Sequence, residues 1–194
     1  VIGELAKATR FQGAGSSHIN ASEIVSVLDG LKQKKVSFDY AAGYRLDDQD
    51  DSQATAEALA LARNHDKVVF VAGLPDNYES EGFDRQNMAL PKVQNDLLQA
   101  VTAVNPNVIV LLVAGAPVEL PWVDQVKAVV NLSLGGERLG AAAANVLTGA
   151  VNPSGKLAES YPLKYQDVPS ADVYDKNPRS VPYVESTYVG YRYY

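Results

Sequence analysis

Three carboxylates, Glu79, Glu81 and Asp84, fall in one short loop, Pro75-Asp76-Asn77-Tyr78-Glu79-Ser80-Glu81-Gly82-Phe83-Asp84-Arg85. Like charges held together raise the pKa of at least one of them, and a general acid working near neutral pH needs a raised pKa. Gly82 beside Glu81 permits a sharp turn and the close approach of another chain or a ligand. Spacing alone also fits an ordinary solvated acidic loop, so both readings stand at this point. Ser16 and His18 lie in a second polar loop, Arg10-Phe11-Gln12-Gly13-Ala14-Gly15-Ser16-Ser17-His18. His18 has neither a second histidine nearby nor a suitable carboxylate partner, so it reads as a loop contact and no metal site is expected. Glu185, close to the C-terminus, is a further candidate carboxylate.

The elements around these residues must deliver them to one place. Lys67 to Gly73 reads as an apolar strand running into the acidic loop, and buried parallel strands present chemistry at their carboxyl ends. Val1-Ile2-Gly3 reads as a strand entering the Gly13 loop, followed by a helix that starts at Asn20 with Glu23 as a capping box and has Ile24, Val27, Leu28 and Leu31 on one face. The third glycine of a dinucleotide fingerprint is missing, which favours a tight turn with local Ser16 and Ser17 hydrogen bonds over phosphate binding. Val36 to Tyr40 alternates as a strand, and the acidic run Asp47 to Asp51 lacks calcium-loop spacing and reads as solvated. Ser52 caps the next helix, and Pro91 at a first helical position opens another, inward at Leu97, Leu98 and Val101. Val108 to Val113 and Lys127 to Leu134 are further strands, with Trp122 between them as a half-buried packing residue or a sugar platform. Glu137 to Leu147 is an Ala-rich helix closed by Gly149.

Strands and helices in alternation predict an α/β fold: a three-layer sandwich with a mostly parallel sheet of about five to six strands, covered by helices on both faces. From Asn152 the texture turns irregular, and eight of the 11 tyrosines lie from Tyr161 onward. Residues 150–194 thus read as a wrapping tail, with a closing edge strand at Tyr188 to Tyr193 and a half-apolar surface for a neighbour.

The chain has 194 residues, no cysteine and a net charge of −6. One core fits that length, and the cysteine count removes disulfides, thiolate metal sites and cysteine nucleophiles. An acidic chain without a basic stripe argues against nucleic acid as a partner. No apolar run approaches the roughly 20 residues of a bilayer span, so no membrane partner is expected. Both ends read as cut from something longer, and localisation stays open between the cytoplasm and secretion.

Several separated motifs together carry a family resemblance: Phe11 to His18; Ser80-Glu81-Gly82-Phe83-Asp84-Arg85 with Asn87 and Leu90-Pro91; Gly115 to Glu119; Asn152 to Leu157; and Tyr188 to Tyr194. In this order they resemble the second, α/β-sandwich domain of β-glucosidase-type enzymes in glycoside hydrolase family three, over essentially residues 1–194. The resemblance implies a retaining exo-acting β-glycosidase that removes terminal non-reducing β-D-glucosyl residues from a β-glucoside or short β-linked oligosaccharide. A separate (β/α)8 barrel would supply the Asp nucleophile, and this domain the acid/base Glu. Glu81 occupies that position; Glu79 is the runner-up and Glu185 the third. Asp84 and Arg85 are cast as an ion pair or clamp that holds Glu81, and Ser16 and His18 as substrate-binding or loop support. No cofactor is implied. The isolated domain would be inactive, and the alternative is a non-catalytic carbohydrate-binding or interdomain module.

Overall fold

The computed structural model describes residues 1–82, 84–177 and 179–194. Phe83, part of the acidic-loop motif, lies outside the described residues.

Three strands form a parallel sheet in the order β1 (Val68–Gly73), β2 (Val108–Val113) and β3 (Ala128–Asn131). Val68 pairs with Val108, and Gly73 with Val113, so β1 and β2 end in register and release their loops side by side. Successive strand residues point to opposite faces, yet Phe70, Val71 and Ala72 are each fully buried. Both faces are therefore covered, which is why β1 and β2 read as continuous apolar runs rather than alternating ones. Truncating Phe70 to Ala would cost about 3 to 5 kcal/mol in lost contact and cavity formation.

The sheet has fewer full strands than the five to six expected. Two of the expected strands survive only as single-residue bridges, Ile2 to Phe70 and Ile2 to Ala41, both parallel. Ile2 donates to Val69 O at 2.9 Å and accepts from Val71 N at 2.8 Å, so residues 1–3 do lie beside β1. They cannot continue as a strand because Gly3, at φ 125°, turns the chain into the 3-10 turn Glu4–Ala6. Val36 to Tyr40 likewise stays irregular apart from the Ala41 contact. The third expected strand in the tail is replaced by a 3-10 turn, Gly190–Arg192, and β3 stops at Asn131 instead of Leu134.

Two pairs of helices flank the sheet. α1 (Val27–Gln33) packs on α4 (Leu139–Leu147), and α2 (Ser52–Arg63) on α3 (Lys92–Val104). α1 starts later than expected: Ser26, not Asn20, is its N-cap and accepts from Asp29 N at 3.1 Å. The capping-box residue Glu23 instead pairs with Arg138, 2.7 Å away. α1 can start there because it lies on α4 through two glycines, and a Cβ on either Gly30 or Gly140 would collide with the other helix's backbone region. At α2 the cap is Asp51, one residue before Ser52, and at α3 Pro91 is the residue before the first helical one. Trp122 is 2% exposed and donates to Asn95 Oδ1 at 2.9 Å, a packing role with its polar end satisfied.

Candidate functional site

The loops that follow Ile2, β1 and β2 converge at the carboxyl edge of the sheet. Arg10, in the first of them, is 8% exposed and lies at the centre of the convergence. Its Nη1 donates to Leu74 O at 3.1 Å and to the Glu79 carboxylate, its Nη2 donates to Glu79 O at 2.9 Å, and its Nε lies 2.8 Å from Asp76 Oδ1. The Arg10 Nε is buried and makes no hydrogen bond among the described residues, so its approach to Asp76 is an ion-pair contact, while Nη1 and Nη2 carry the hydrogen bonds. A guanidinium that stays charged when buried needs such partners. Glu79 Oε2 also accepts from Gly115 N at 3.0 Å, which ties the loop after β2 to the loop after β1. The turn at 75–79 is closed by bonds from Tyr78 N and Glu79 N to Pro75 O.

Two residues further on, Glu81 is exposed at the rim. Its Oε2 accepts from Ser16 N at 2.5 Å, and its own N–H reaches toward Ala14 O at 3.4 Å. The Ser16 hydroxyl first, and then the Ser16 N–H, holds the Glu81 carboxyl below its usual pKa, against a smaller opposing effect of desolvation. Crowding does not raise Glu81: its nearest charged neighbour in sequence, Glu79, is turned inward onto Arg10, and the Glu81 carboxylate accepts from Ser16 instead. Gly15, at φ 95°, makes the contact possible, since a Cβ there would stand 2.5 Å from Glu81 Cβ and 2.8 Å from Oε2.

Among the described residues, neither Asp84 nor Arg85 makes a hydrogen bond or ion pair with Glu81, so the expected clamp is not formed. Arg85 Nη1 donates to Pro117 O at 3.1 Å, and its Nη2 is buried with no hydrogen-bond partner among the described residues. Partial burial lowers the Arg85 pKa, with Glu79 and Glu119 opposing. Asp84 lies against the Tyr174 hydroxyl in the tail and raises its pKa. His18 is exposed, with Nδ1 3.2 Å from Gln12 Nε2, and Gln12 braces the same loop through both polar atoms of Ile19. His18, Arg10 and Asp76 line a cavity of about 680 Å³ beside the Glu79 anchor.

The tail covers the far side of this edge. It is tied by Asn131 Nδ2 donating to Tyr161 Oη at 3.0 Å and by Tyr165 N donating to Glu119 Oε1 at 2.7 Å. Glu185 lines a second cavity, about 850 Å³, with Arg85, Pro117 and Tyr191. Glu81 is not among the residues lining that cavity. Among the described residues no cluster of three or more His, Asp or Glu side chains could hold a metal ion, and no helix is long and apolar enough to cross a membrane.

Arg10 and Asp48 are the residues that sequence reasoning missed. Asp48 accepts from Tyr78 Oη at 2.5 Å and from Val93 N at 3.1 Å, so part of the run read as solvated supports the acidic loop from below. Burial and Asp48 together push the Tyr78 hydroxyl up to about 12. The one available signal was a lone Arg directly before the Phe11-Gln12-Gly13 motif; its partners lie 64 and 69 positions away.

The architecture is that of an open parallel α/β domain, a class in which ligands bind at the loops beyond the carboxyl ends of the strands. Residues 1–191 match the family described as Glycosyl hydrolase family 3 C-terminal domain, and the chain belongs to that family. It is 46% identical over 198 residues to thermostable beta-glucosidase B of Acetivibrio thermocellus, covering 100% of this chain and 26% of that protein. It is 42% identical over 196 residues to exo-alpha-(1->6)-L-arabinopyranosidase of Bifidobacterium breve, again covering 100% of this chain and 26% of the relative. The fold matches the crystal structure of a Bifidobacterium adolescentis beta-glucosidase of the same family, with a TM-score of 0.93, 42% identity, and coverage of 100% of this chain and 29% of that one. The chain therefore spans about a quarter of the length of the curated relatives it matches.

Proposed function

We propose that this chain is the acid/base half of the active centre of a retaining, exo-acting β-glycosidase of β-glucosidase type, acting on terminal non-reducing β-D-glucosyl residues. The observation that carries the reading is Glu81: an exposed carboxylate at the carboxyl edge of a parallel sheet, held by Ser16, inside a chain whose whole length matches this family. A separate (β/α)8 barrel of the same enzyme supplies the nucleophile, and residues 1–194 form one domain of it with 150–194 as its wrapping tail. Relatives named as beta-glucosidases support the β-glucoside as substrate. A relative named as an exo-arabinopyranosidase matches this chain nearly as well, which is compatible with a choice of sugar made mainly by the barrel.

In the first step Glu81 protonates the departing glycosidic oxygen while the nucleophile forms a glycosyl-enzyme; in the second it takes a proton from water. Retention needs the two carboxyls about 5 Å apart. Glu79 is poorly suited to either role, because its Oε2 already accepts from Arg10 and Gly115. With its pKa held low by Ser16, Glu81 is set up for the base step; covering by the barrel removes water and raises a carboxyl pKa, which readies the acid step.

The test uses the enzyme containing both domains. Glu81→Ala should slow hydrolysis of β-glucosides with poor leaving groups by about 100-fold or more, the usual range for a lost general acid. Azide should restore turnover of activated substrates with release of β-glucosyl azide. Unchanged turnover on poor leaving groups would remove Glu81 from the mechanism, and binding of a β-glucoside without hydrolysis by the complete enzyme would favour a non-catalytic carbohydrate module.

A further inference from the structure

We infer that Arg10 is the positioning residue for Glu81 and that Glu79 is its anchor, not a second acid; this deepens the acid/base reading above and rests on it. Arg10 touches the chain at Leu74, just before the acidic loop, at Asp76 near the loop's start, and twice at Glu79. Six positions further along the same loop, Ser16 N–H grips Glu81 itself. Residues 10–16 thus hold residues 74–81 at two points, and the span between Glu79 and Glu81 is a single residue, Ser80.

The distribution of exposure fits this division of labour. The Arg10 side chain is 6% exposed and the Glu79 side chain 19%, while Glu81 is exposed at the rim. A buried guanidinium with acceptors on two sides fixes a backbone path, because its planar fork cannot satisfy them in another orientation. Glu79 is held from the other side by Gly115, so the anchor belongs to the loops after both β1 and β2. Glu81 then leaves an anchored point with one residue of slack and is aimed by Ser16. Displacing the carboxyl by an ångström is enough to cost a catalytic group most of its effect.

The experiment uses the enzyme containing this chain and its barrel, with Arg10→Lys, Glu79→Gln, Glu79→Ala and Asp76→Asn beside Glu81→Ala. Melting temperature is recorded for each, and kinetics are compared among variants that stay folded at assay temperature; Asp76, whose side chain is 72% exposed, provides a mild change to the same hub. Arg10→Lys and Glu79→Gln should lower kcat/KM by about 30-fold or more for a phenyl β-glucoside and by less than about 3-fold for a 2,4-dinitrophenyl β-glucoside, since only the former needs the acid. The limb of the pH profile that reports Glu81 should move in both variants. Asp76→Asn should show the same pattern more weakly. Azide should yield β-glucosyl azide with Glu81→Ala and not with Glu79→Ala.

Formation of β-glucosyl azide by Glu79→Ala would overturn the inference, because Glu79 would then be an acid/base itself. Equal losses on both substrates with an unmoved pH profile would overturn it differently, reducing the Arg10 hub to a structural support. Failure of the acid/base reading is seen separately, as full activity of Glu81→Ala on the phenyl β-glucoside.

Discussion

Glu81 is controlled at the scale of single atoms by Ser16 and Gly15. A side chain at Gly15 would be strained twice, by its φ of 95° and by overlap with Glu81 Cβ. Gly15→Ala should therefore displace Glu81 and reduce turnover of poor-leaving-group substrates by about 10-fold or more, with a small effect on melting temperature because the loop is exposed. A near wild-type rate would mean that the Ser16 contact does not set the carboxyl position. The pH behaviour follows from the direction of the Glu81 shift. A carboxyl lowered in the folded state contributes stability above its unfolded pKa, and the contribution is lost as pH falls through the folded pKa. A carbon-detected NMR titration of this chain should give Glu81 a midpoint below that of an unstructured Glu, and Ser16→Ala should move it upward. An unmoved midpoint in Ser16→Ala would remove the hydroxyl as its main cause. Arg10 illustrates what stays invisible at this scale: nothing local to it marks burial, and all its acceptors belong to a loop more than 60 positions away in the chain.

Among the elements, β1 is the one that the site depends on, and its edge is completed by side chains. Gln94 from α3 is 1% exposed; its Oε1 accepts from Gly73 N at 2.9 Å and its Nε2 donates to Gly73 O at 3.0 Å. It stands in for a neighbouring strand at the last residue before the acidic loop. Gln94→Leu should leave both backbone groups buried and unpaired, at about 2 to 4 kcal/mol, read from the urea midpoint of this chain. A loss under about 1 kcal/mol would mean that water replaces the amide. Tyr44 does similar work nearby, donating to Val71 O at 2.7 Å while burial pushes its pKa far up. The apolar runs that became β1, β2 and the helices α2 to α4 were legible because period and burial agree there. Strand expectations at residues 1–3, 36–40 and 188–193 failed where the chain turns at a glycine of positive φ or lacks a neighbour with which to pair, conditions that hydrophobic alternation does not encode.

As a whole molecule, the chain carries an apolar surface concentrated in its tail. Tyr183, Leu163 and Tyr191 are 93%, 83% and 80% exposed, and Val181, Tyr188 and Val189 are exposed as well. Exposed apolar and aromatic side chains gathered in one segment of chain are what a domain presents to a covering neighbour. Amide exchange over residues 181–194 should slow by about 10-fold or more when the barrel is present than in this chain alone, and equal exchange in both would place the docking surface elsewhere.

The α/β class, the parallel strands at the centre, the acidic loop at their carboxyl ends and membership of the family are legible in the chain's residues alone, because apolar periodicity and a dense local motif are written in near neighbours. Which carboxylate is presented and which is tied down depends on long-range folding. Glu79 and Glu81 differ by one intervening residue, and their separate fates come from Arg10, Ser16 and Gly115, groups brought to them by folding across long stretches of chain.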